Sequence, residues 1–345
     1  MSKKIAMITG ITGQDGGYLA KFLLEKGYRV IGLYRRAATD TLGKIKEHGI
    51  LDQIELVDFE LLEFTNICRV VKKYQPDEFY NLAAQSFVGV SWEEPIYTSQ
   101  ACALSVVYML EAIREFSPHT RFYQASTSEM FGMAQEVPQT EKTPFYPRSP
   151  YGCAKLMAHW MVVNYRESFG IHASSGILFN HESPMRGKEF VTRKITYHLA
   201  KMYLGITDEP LELGNLNAKR DWGYAGDYIK MMWLMLQQEK ADTYVIATGE
   251  THTIREFVNE VCSNIGYDIV WEGENENEIG KDKNTGKILV KVNPKFYRPA
   301  EVELLLGDPS KAEKVLGWKR NVNYKQLAKM MIESDIDRLK TNKDY

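Results

Sequence analysis

The glycine-spaced turn Gly10-Ile11-Thr12-Gly13-Gln14-Asp15-Gly16 constrains this chain more than any other feature, because of what stands on either side of it. Before it lies the apolar run "KIAMIT" (4 to 9), and after it the segment "GYLAKFLLEKG", in which Leu19, Phe22 and Leu23 share one helical face and the pattern stops at Gly27. A strand, a G-x-x-G-x-x-G turn and a helix in that order suit a pyrophosphate. Glycines let the backbone come close, and the helix start offers free N–H groups and partial positive charge. A bare glycine pattern is weak evidence, but strand–turn–helix context strengthens it.

The context continues. "RVIGLY" (29 to 34), "IELVDF" (54 to 59), "EFYNLA" (78 to 83), "RFYQAS" (121 to 126) and "ASSGILFN" (173 to 180) read as further strands, with runs between them long enough for crossover helices. Such alternation predicts an α/β fold, a Rossmann-type doubly wound parallel sheet, with a smaller α/β substrate-binding domain. Beyond residue 180 the pattern loosens: "YVIATG" (244 to 249) reads as a strand and "IREFVNEVCSNIG" as a helix. The polar segment "WEGENENEIGKDKNTGKI" (271 to 288) reads as an exposed hairpin or mobile loop.

Charge excludes some functions. The 43 Lys plus Arg nearly balance 45 Asp plus Glu among 345 residues, so no general nucleic-acid or membrane-surface binder is expected. The start "MSKKIAMITGITG" carries too short an apolar run for a signal-peptide core, and no stretch approaches the ~18 apolar residues of a membrane span. A soluble cytoplasmic protein is the expectation. Cys68, Cys102, Cys153 and Cys262 lack C-x-x-C spacing and read as free thiols, and the seven histidines form no ligand-spaced pair, so no metal site is expected.

The second strand ends in "LYRRAATD". A site for NAD usually places an acid about here to accept from the ribose 2′-hydroxyl. This chain offers Arg35 and Arg36, whose guanidinium forks suit a 2′-phosphate, so NADP is the expected cofactor; the plain alternative is two solvated arginines. Asp58, closing the third strand, is placed to reach an adenine amino group or to act as a cap. Further on, "SPYGCAKLMAHW" holds Tyr151-x-x-x-Lys155, an i, i+4 pair on one helical face. A cationic neighbour lowers a tyrosine below its reference value of about 10, so Lys155 beside an oxidised nicotinamide would make Tyr151 a usable base.

With the turn, "NLAA" (81 to 84), Thr127, Tyr151 and Lys155, the chain resembles the extended short-chain dehydrogenase/reductase superfamily. Through "GITGQDG", "NLAAQS", "ASTSEMFG", "TPFYPRSPYG", "GILFNHESP", "FVTRKIT", "AKRDWGYA", "YVIATGETHT" and "YRPAEVELLLGDPSKA" it is similar to the GDP-mannose 4,6-dehydratase family over nearly its whole length. That resemblance implies oxidation at C4 of a GDP-hexose, loss of water across C5 and C6, and reduction at C6, giving a 4-keto-6-deoxy sugar nucleotide. Tyr151 would deprotonate the C4 hydroxyl, Thr127 hold it, Lys155 orient the ribose, and Glu129 remove the C5 proton. Where dTDP-glucose dehydratases carry an aspartate to protonate the leaving hydroxyl, this chain has Ser128, leaving Glu129 as the suggested donor.

The resemblance also implies that Gly10, Thr12, Gly13, Gln14, Asp15 and Gly16 meet a tightly held, regenerated NADP, together with Leu82, Ala83, Ala84, Ser86 and Tyr97. His181 and Arg186 match positions near its nicotinamide end. Ser86, Asn180, Lys194, Arg220, Arg298 and Glu301 would face the GDP-sugar. Residues 1–180 are then the NADP-binding domain, with a returning segment near 222–250, while 181–221 and 251–345 mainly bind the GDP-sugar. Two departures from the family pattern bear on the sugar: Phe87 replaces a histidine and Met185 a cationic residue, which could favour a GDP-manno-heptose. The loop "RRAATDTLGKI" differs from the family's "RRSSSFNTGRI", with Lys44 for an arginine; in the family it helps build a tetramer, so a dimer through paired helices is expected, with a tetramer as the alternative. Reduction of the product by NADPH to GDP-D-rhamnose is a further possibility. A nucleotide-sugar 4-epimerase needs no base at C5, and a non-catalytic dinucleotide sensor needs none of the four catalytic residues.

Overall fold

Parallel pairing of seven strands in the order 3-2-1-4-5-6-11 organises the computed structural model, which describes residues 3–296 and 304–342. The sheet strands are β1 (Ile5–Thr9), β2 (Arg29–Tyr34), β3 (Glu55–Asp58), β4 (Glu78–Asn81), β5 (Arg121–Thr127) and β6 (Ala173–Leu178). Beyond them run the short β7 (Asn180–Glu182), β8 (Leu211–Leu213), β9 (Lys219–Arg220) and β10 (Trp222–Tyr224), and then β11 (Thr243–Ile246), which returns to the sheet edge beside β6. The helices among these are α1 (Gln14–Glu25), α2 (Gly43–Glu47), α3 (Phe64–Tyr74), α4 (Pro95–Ser99), α5 (Ser105–Phe116), α6 (Pro150–Phe169), α7 (Val191–Tyr203) and α8 (Ala225–Gln237).

Neighbouring strand residues point to opposite faces, and here both faces are apolar. Ile8, Tyr80 and Tyr123 pack under α1 and α8, whereas Met7, Phe79 and Phe122 pack under α3, α5 and α6. The doubly wound expectation is therefore met, with the strand order reversing between β1 and β4, where such sheets open a crevice at the carboxyl ends of their strands. The continuous helical run Pro95–Phe116 is long and apolar enough to cross a membrane, but 56% of its most apolar window is buried within the fold. A π-helical turn at Gln100–Leu104 joins α4 to α5.

A second layer follows β11: β12 (His252–Thr253), α9 (Ile254–Asn264), β13 (Ile269–Glu272), β14 (Ile279–Asp282), β15 (Ile288–Val292), α10 (Ser310–Leu316) and α11 (Tyr324–Thr341). Strands β13, β14, β15 and β8 form a small sheet backed by α7, α9 and α11 around Leu199, Phe257, Val290 and Met331. The segment 271–288 is thus more than an exposed hairpin. Gly280 and Asp282 are buried, and the Asp282 carboxylate closes the turn by accepting from Thr285 N at 3.1 Å and Thr285 Oγ1 at 2.6 Å. Polar composition concealed a strand whose alternate residues face a core.

Candidate active site

The crevice at the β1/β4 reversal deepens into a cavity of about 760 Å³, walled on one side by the glycine turn and the ends of β4, β5 and β6, and on the other by the segment from β7 to α7, the loop after β8, and β9. Its depth follows from local sequence. Gly10 has φ of +66°, and a Cβ there would sit 3.0 Å from Ala83 N, so only glycine allows the turn to pass the loop after β4. A Cβ at Gly16 would sit 2.6 Å from Ile11 Cα. Gly13 starts α1 with no side-chain cap, so the first N–H groups of the helix face the cavity rather than a hydroxyl. This uncapped, Cβ-free cradle fits a dinucleotide pyrophosphate.

Buried polar bonds hold the neighbouring loop. Thr9 Oγ1 donates to Asn81 Oδ1 at 2.7 Å and accepts from the N–H groups of Leu82 and Ala83 at 3.0 and 3.1 Å. Asn81 in turn donates to Gln124 Oε1 at 2.8 Å, linking the carboxyl ends of β1, β4 and β5. Leu82, Ala84 and Ser86 line the cavity, whereas Ala83 has its N–H engaged by Thr9.

Thr127, Glu129, Tyr151 and Lys155 meet on one wall. Thr127 ends β5, and its Oγ1 accepts from Glu129 N at 3.2 Å, capping a single turn that presents the Glu129 side chain, 9% exposed as a residue, to the cavity. Helix α6 starts with Ser149 Oγ accepting from Gly152 N at 3.0 Å and Pro150 in its first turn. Gly152 packs so tightly against that turn that a Cβ would lie 2.8 Å from Glu129 O, which brings Tyr151 within hydrogen-bonding reach of the Thr127 side chain. Lys155 Nζ donates to Ala125 O at 2.9 Å and lies 5.8 Å from the Tyr151 ring centroid.

The electrostatics of this wall follow its burial. Burial, with Cys102 and Glu129 nearby, pushes the Tyr151 phenol well above its ordinary value, and burial lowers the Lys155 ammonium. Lys155 directs its ammonium at the Ala125 carbonyl, below the Tyr151 ring.

The remaining sequence candidates divide. Gly10, Gly13, Gln14, Asp15, Gly16, Asn180, His181, Arg186, Lys194 and Arg220 line the cavity. His181 meets Asp15 through Nε2 at 2.7 Å and the Phe179 carbonyl through Nδ1 at 2.9 Å, and stacks on Tyr228, so it lies against the start of α1. Arg186 pairs through Nε with Glu182 at 3.1 Å and lies 3.6 Å over the Phe190 ring. Lys194 Nζ donates to Glu212 O at 2.7 Å and lies 3.7 Å over Phe296, its ammonium lowered by burial. Arg220 is buried on β9, next to Asp221, whose burial pushes its carboxyl up to about 6 although it accepts from Thr248 N at 2.8 Å, Thr248 Oγ1 at 2.7 Å and Gly249 N at 3.1 Å.

Thr12, Arg35, Arg36, Asp58 and Tyr97 do not line the cavity. All but Thr12 are exposed, Arg35 and Arg36 just past the end of β2, Asp58 at the end of β3 and Tyr97 within α4, with Arg35 Nη1 donating to Tyr97 OH at 3.3 Å. Arg298 and Glu301 lie outside the described residues. Of the two departures, Phe87 stands at the cavity edge, 42% exposed and edge-on to Phe190 at 6.1 Å, but Met185 is buried and turned to Arg338, 3.6 Å from Sδ to Nη2. Met185 therefore has no face toward a sugar. Sequence reasoning missed Trp92, Glu93, Phe190 and Lys295 on the wall, since nothing local marks them.

A dinucleotide cradle beside a Thr, Glu, Tyr and Lys wall on this sheet order defines the chain's class as an extended short-chain dehydrogenase/reductase. Solved structures agree on the fold. A UDP-glucose 4-epimerase from Thermus thermophilus in complex with NAD matches with a TM-score of 0.80 at 22% identity, covering 96% of this chain and 98% of that one. A dTDP-glucose 4,6-dehydratase from Bacillus anthracis matches at 0.80 and 18%, covering 99% and 100%. The family model described as GDP-mannose 4,6 dehydratase matches residues 7–331, and the chain belongs to that family. Relatives of that name include one from Sinorhizobium fredii, 51% identical with 98% of each chain covered, and one from Cricetulus griseus, 50% identical with 99% of this chain and 93% of that one covered.

Proposed function

We propose that the protein is an NADP-dependent hydro-lyase that converts GDP-mannose to GDP-4-keto-6-deoxymannose and water. The observation that carries this reading is the convergence of Thr127, Glu129, Tyr151 and Lys155 on one wall of a cavity whose other walls are a pyrophosphate cradle and the cationic side chains Lys194 and Arg220. Family membership and relatives of that activity at about half identity support it. When bound, NADP supplies the oxidant for C4 and returns the same two electrons to C6 at the end of the cycle. Tyr151 takes the C4 hydroxyl proton, Thr127 holds that oxygen in place, and Lys155 orients the ribose. Its ammonium, together with the positive charge an oxidised nicotinamide would bring beside it, would favour the phenolate form of Tyr151. A ketone at C4 acidifies the C5 proton, which Glu129 removes, and the same carboxyl then protonates the departing C6 hydroxyl; as C6 is reduced, C5 takes a proton from solvent through Glu129, and Tyr151 gives up to solvent the proton it took from the C4 hydroxyl. Ser128 is buried and does not line the cavity, which supports Glu129 in both roles.

Arg35 and Arg36 at the open end of β2 support a 2′-phosphate and hence NADP. Exposed Ile96 and Leu104 on the long helical run and Met157 and Trp160 on α6, the last 54% exposed, support a homodimer through these helices. The test is to incubate the protein with GDP-mannose in deuterated water and follow products by mass and NMR. The 4-keto-6-deoxy product with one deuterium at C5 is expected. A C4 epimer, or unchanged GDP-mannose after full cofactor loading, would sink the reading.

A further inference from the structure

The segment between β7 and α7 carries Arg186 and Phe190 into the cavity, and its backbone is held from behind by a buried charge cluster. Asp335 on α11, 1% exposed, accepts through Oδ1 from Arg193 Nε at 3.0 Å and Arg338 Nη1 at 3.3 Å, and through Oδ2 from Thr196 Oγ1 at 2.7 Å. Both guanidinium groups also donate to the segment, Arg193 through a second nitrogen and Arg338 through the same Nη1 that meets Asp335. Arg193 Nη1 donates to the Arg186 carbonyl at 2.7 Å, and Arg338 Nη1 donates to the Pro184 carbonyl at 2.7 Å. Arg338 also reaches Glu47 Oε1 on α2, through Nε at 3.1 Å and Nη2 at 2.6 Å. Helix α2 lies within the β2–β3 connection that begins at Arg35 and Arg36, so that connection and the 184–186 segment are both tied to α11.

We propose that Asp335 is a positioning residue: it orients Arg193 and Arg338 so that their forks fix the 184–186 backbone and thereby aim Arg186 into the cavity. The physical argument is directional. A guanidinium presents donors in a fixed plane, so a carboxylate that locks one edge sets where the other edge points. Three buried groups of opposite sign also cannot relax into water when one is changed. The side chain of Arg186 is separately held by Glu182 and Phe190, so the Arg193 bond to its carbonyl is what joins it to α11.

This inference rests on the reading of Arg186 as a ligand-facing residue, and the experiment separates the two. Dissociation constants for NADPH and for GDP are measured on the full chain for R186A, D335N and R186A/D335N, each with a thermal melt. D335N is expected to weaken whichever ligand R186A weakens by about tenfold, the equivalent of one ordinary interaction. In the R186A background it should add less than about twofold, because its effect passes through Arg186. If D335N does not fold, R193K carries the same expectation, since one ammonium cannot hold both Asp335 and the Arg186 carbonyl. Ligand affinities unchanged in a folded D335N, or lowered equally with and without Arg186, overturn the positioning role. R186A that binds both ligands like the wild type overturns the reading of Arg186 instead.

Discussion

Replacing Gly16 with alanine tests the cradle by one methyl group. The new Cβ would stand 2.6 Å from Ile11 Cα and 2.8 Å from Ile11 C, with Gly10 O also in its way, where ordinary contact begins at 3.4 Å. These are backbone atoms, so no side chain can swing aside, and the start of α1 must retreat from the turn by about 0.8 Å, the shortfall at the closest carbon. A hydrogen bond at its usual ~2.9 Å stretched by that amount lies outside bonding range. One lost bond to a charged acceptor is worth about 1.5–3 kcal/mol, so NADPH affinity should fall about 10- to 100-fold. The overpacking itself should lower stability by about 1–3 kcal/mol. Titration of NADPH fluorescence gives the first quantity, a denaturant melt gives the second, and GDP affinity serves as control because the far wall is untouched. NADPH binding within about twofold of wild type in folded G16A would refute the claim that a phosphate approaches this turn.

Three further outcomes are expected. Glu129→Gln keeps the side chain's shape but removes the base, so turnover should fall by roughly 10²- to 10⁴-fold while NADPH and GDP-mannose still bind; a mutant within about threefold of wild type removes Glu129 from the C5 step. Arg35→Ala combined with Arg36→Ala should weaken NADPH and leave NADH unchanged, and equal losses for both dinucleotides would show that the pair does not read the 2′-phosphate. The Asp15–His181 pair should leave a pH signature. Burial alone would raise Asp15, but His181 holds it below 3.8; burial opposes a charged His181, but Asp15 raises it above 6.5. The pair's contribution is thus complete between those values, lost as pH falls through the lowered Asp15 value, and lost as pH rises from 6.5 through the raised His181 value. The gap in melting temperature between wild type and His181→Gln should therefore shrink from pH 6 to pH 8.5. A gap that stays constant across that range means that the histidine is not charged in the fold.

Much of the site was legible because its chemistry is local. The turn after β1, the Thr127–Glu129 step at the end of β5 and the Tyr151–Lys155 pair on α6 each lie within a few residues, and a strand end or helix face is enough to place them. Arg35, Arg36 and Asp58 were equally visible as residues, yet the fold puts them outside the cavity wall, at the exposed ends of β2 and β3. Met185 shows the opposite case. Its neighbours in the sequence belong to the site, but its side chain faces a guanidinium that comes from α11, more than a hundred residues away.

The sequence alone determined the parallel α/β class, the strands of the large sheet and the dinucleotide turn, because the period of apolar residues and the placing of glycines act over one or two turns of chain. It also singled out four side chains, Thr127, Glu129, Tyr151 and Lys155, that the fold brings to one cavity wall. The tertiary structure decided what those side chains experience. Burial raised the Tyr151 phenol and turned Lys155 to the Ala125 carbonyl. Pairing across the fold joined Asp15 to His181, and Asp335 to Arg193 and Arg338. The physical reason is range: helix and strand patterns are set by near neighbours, whereas desolvation and ion pairing depend on which distant segments exclude water together.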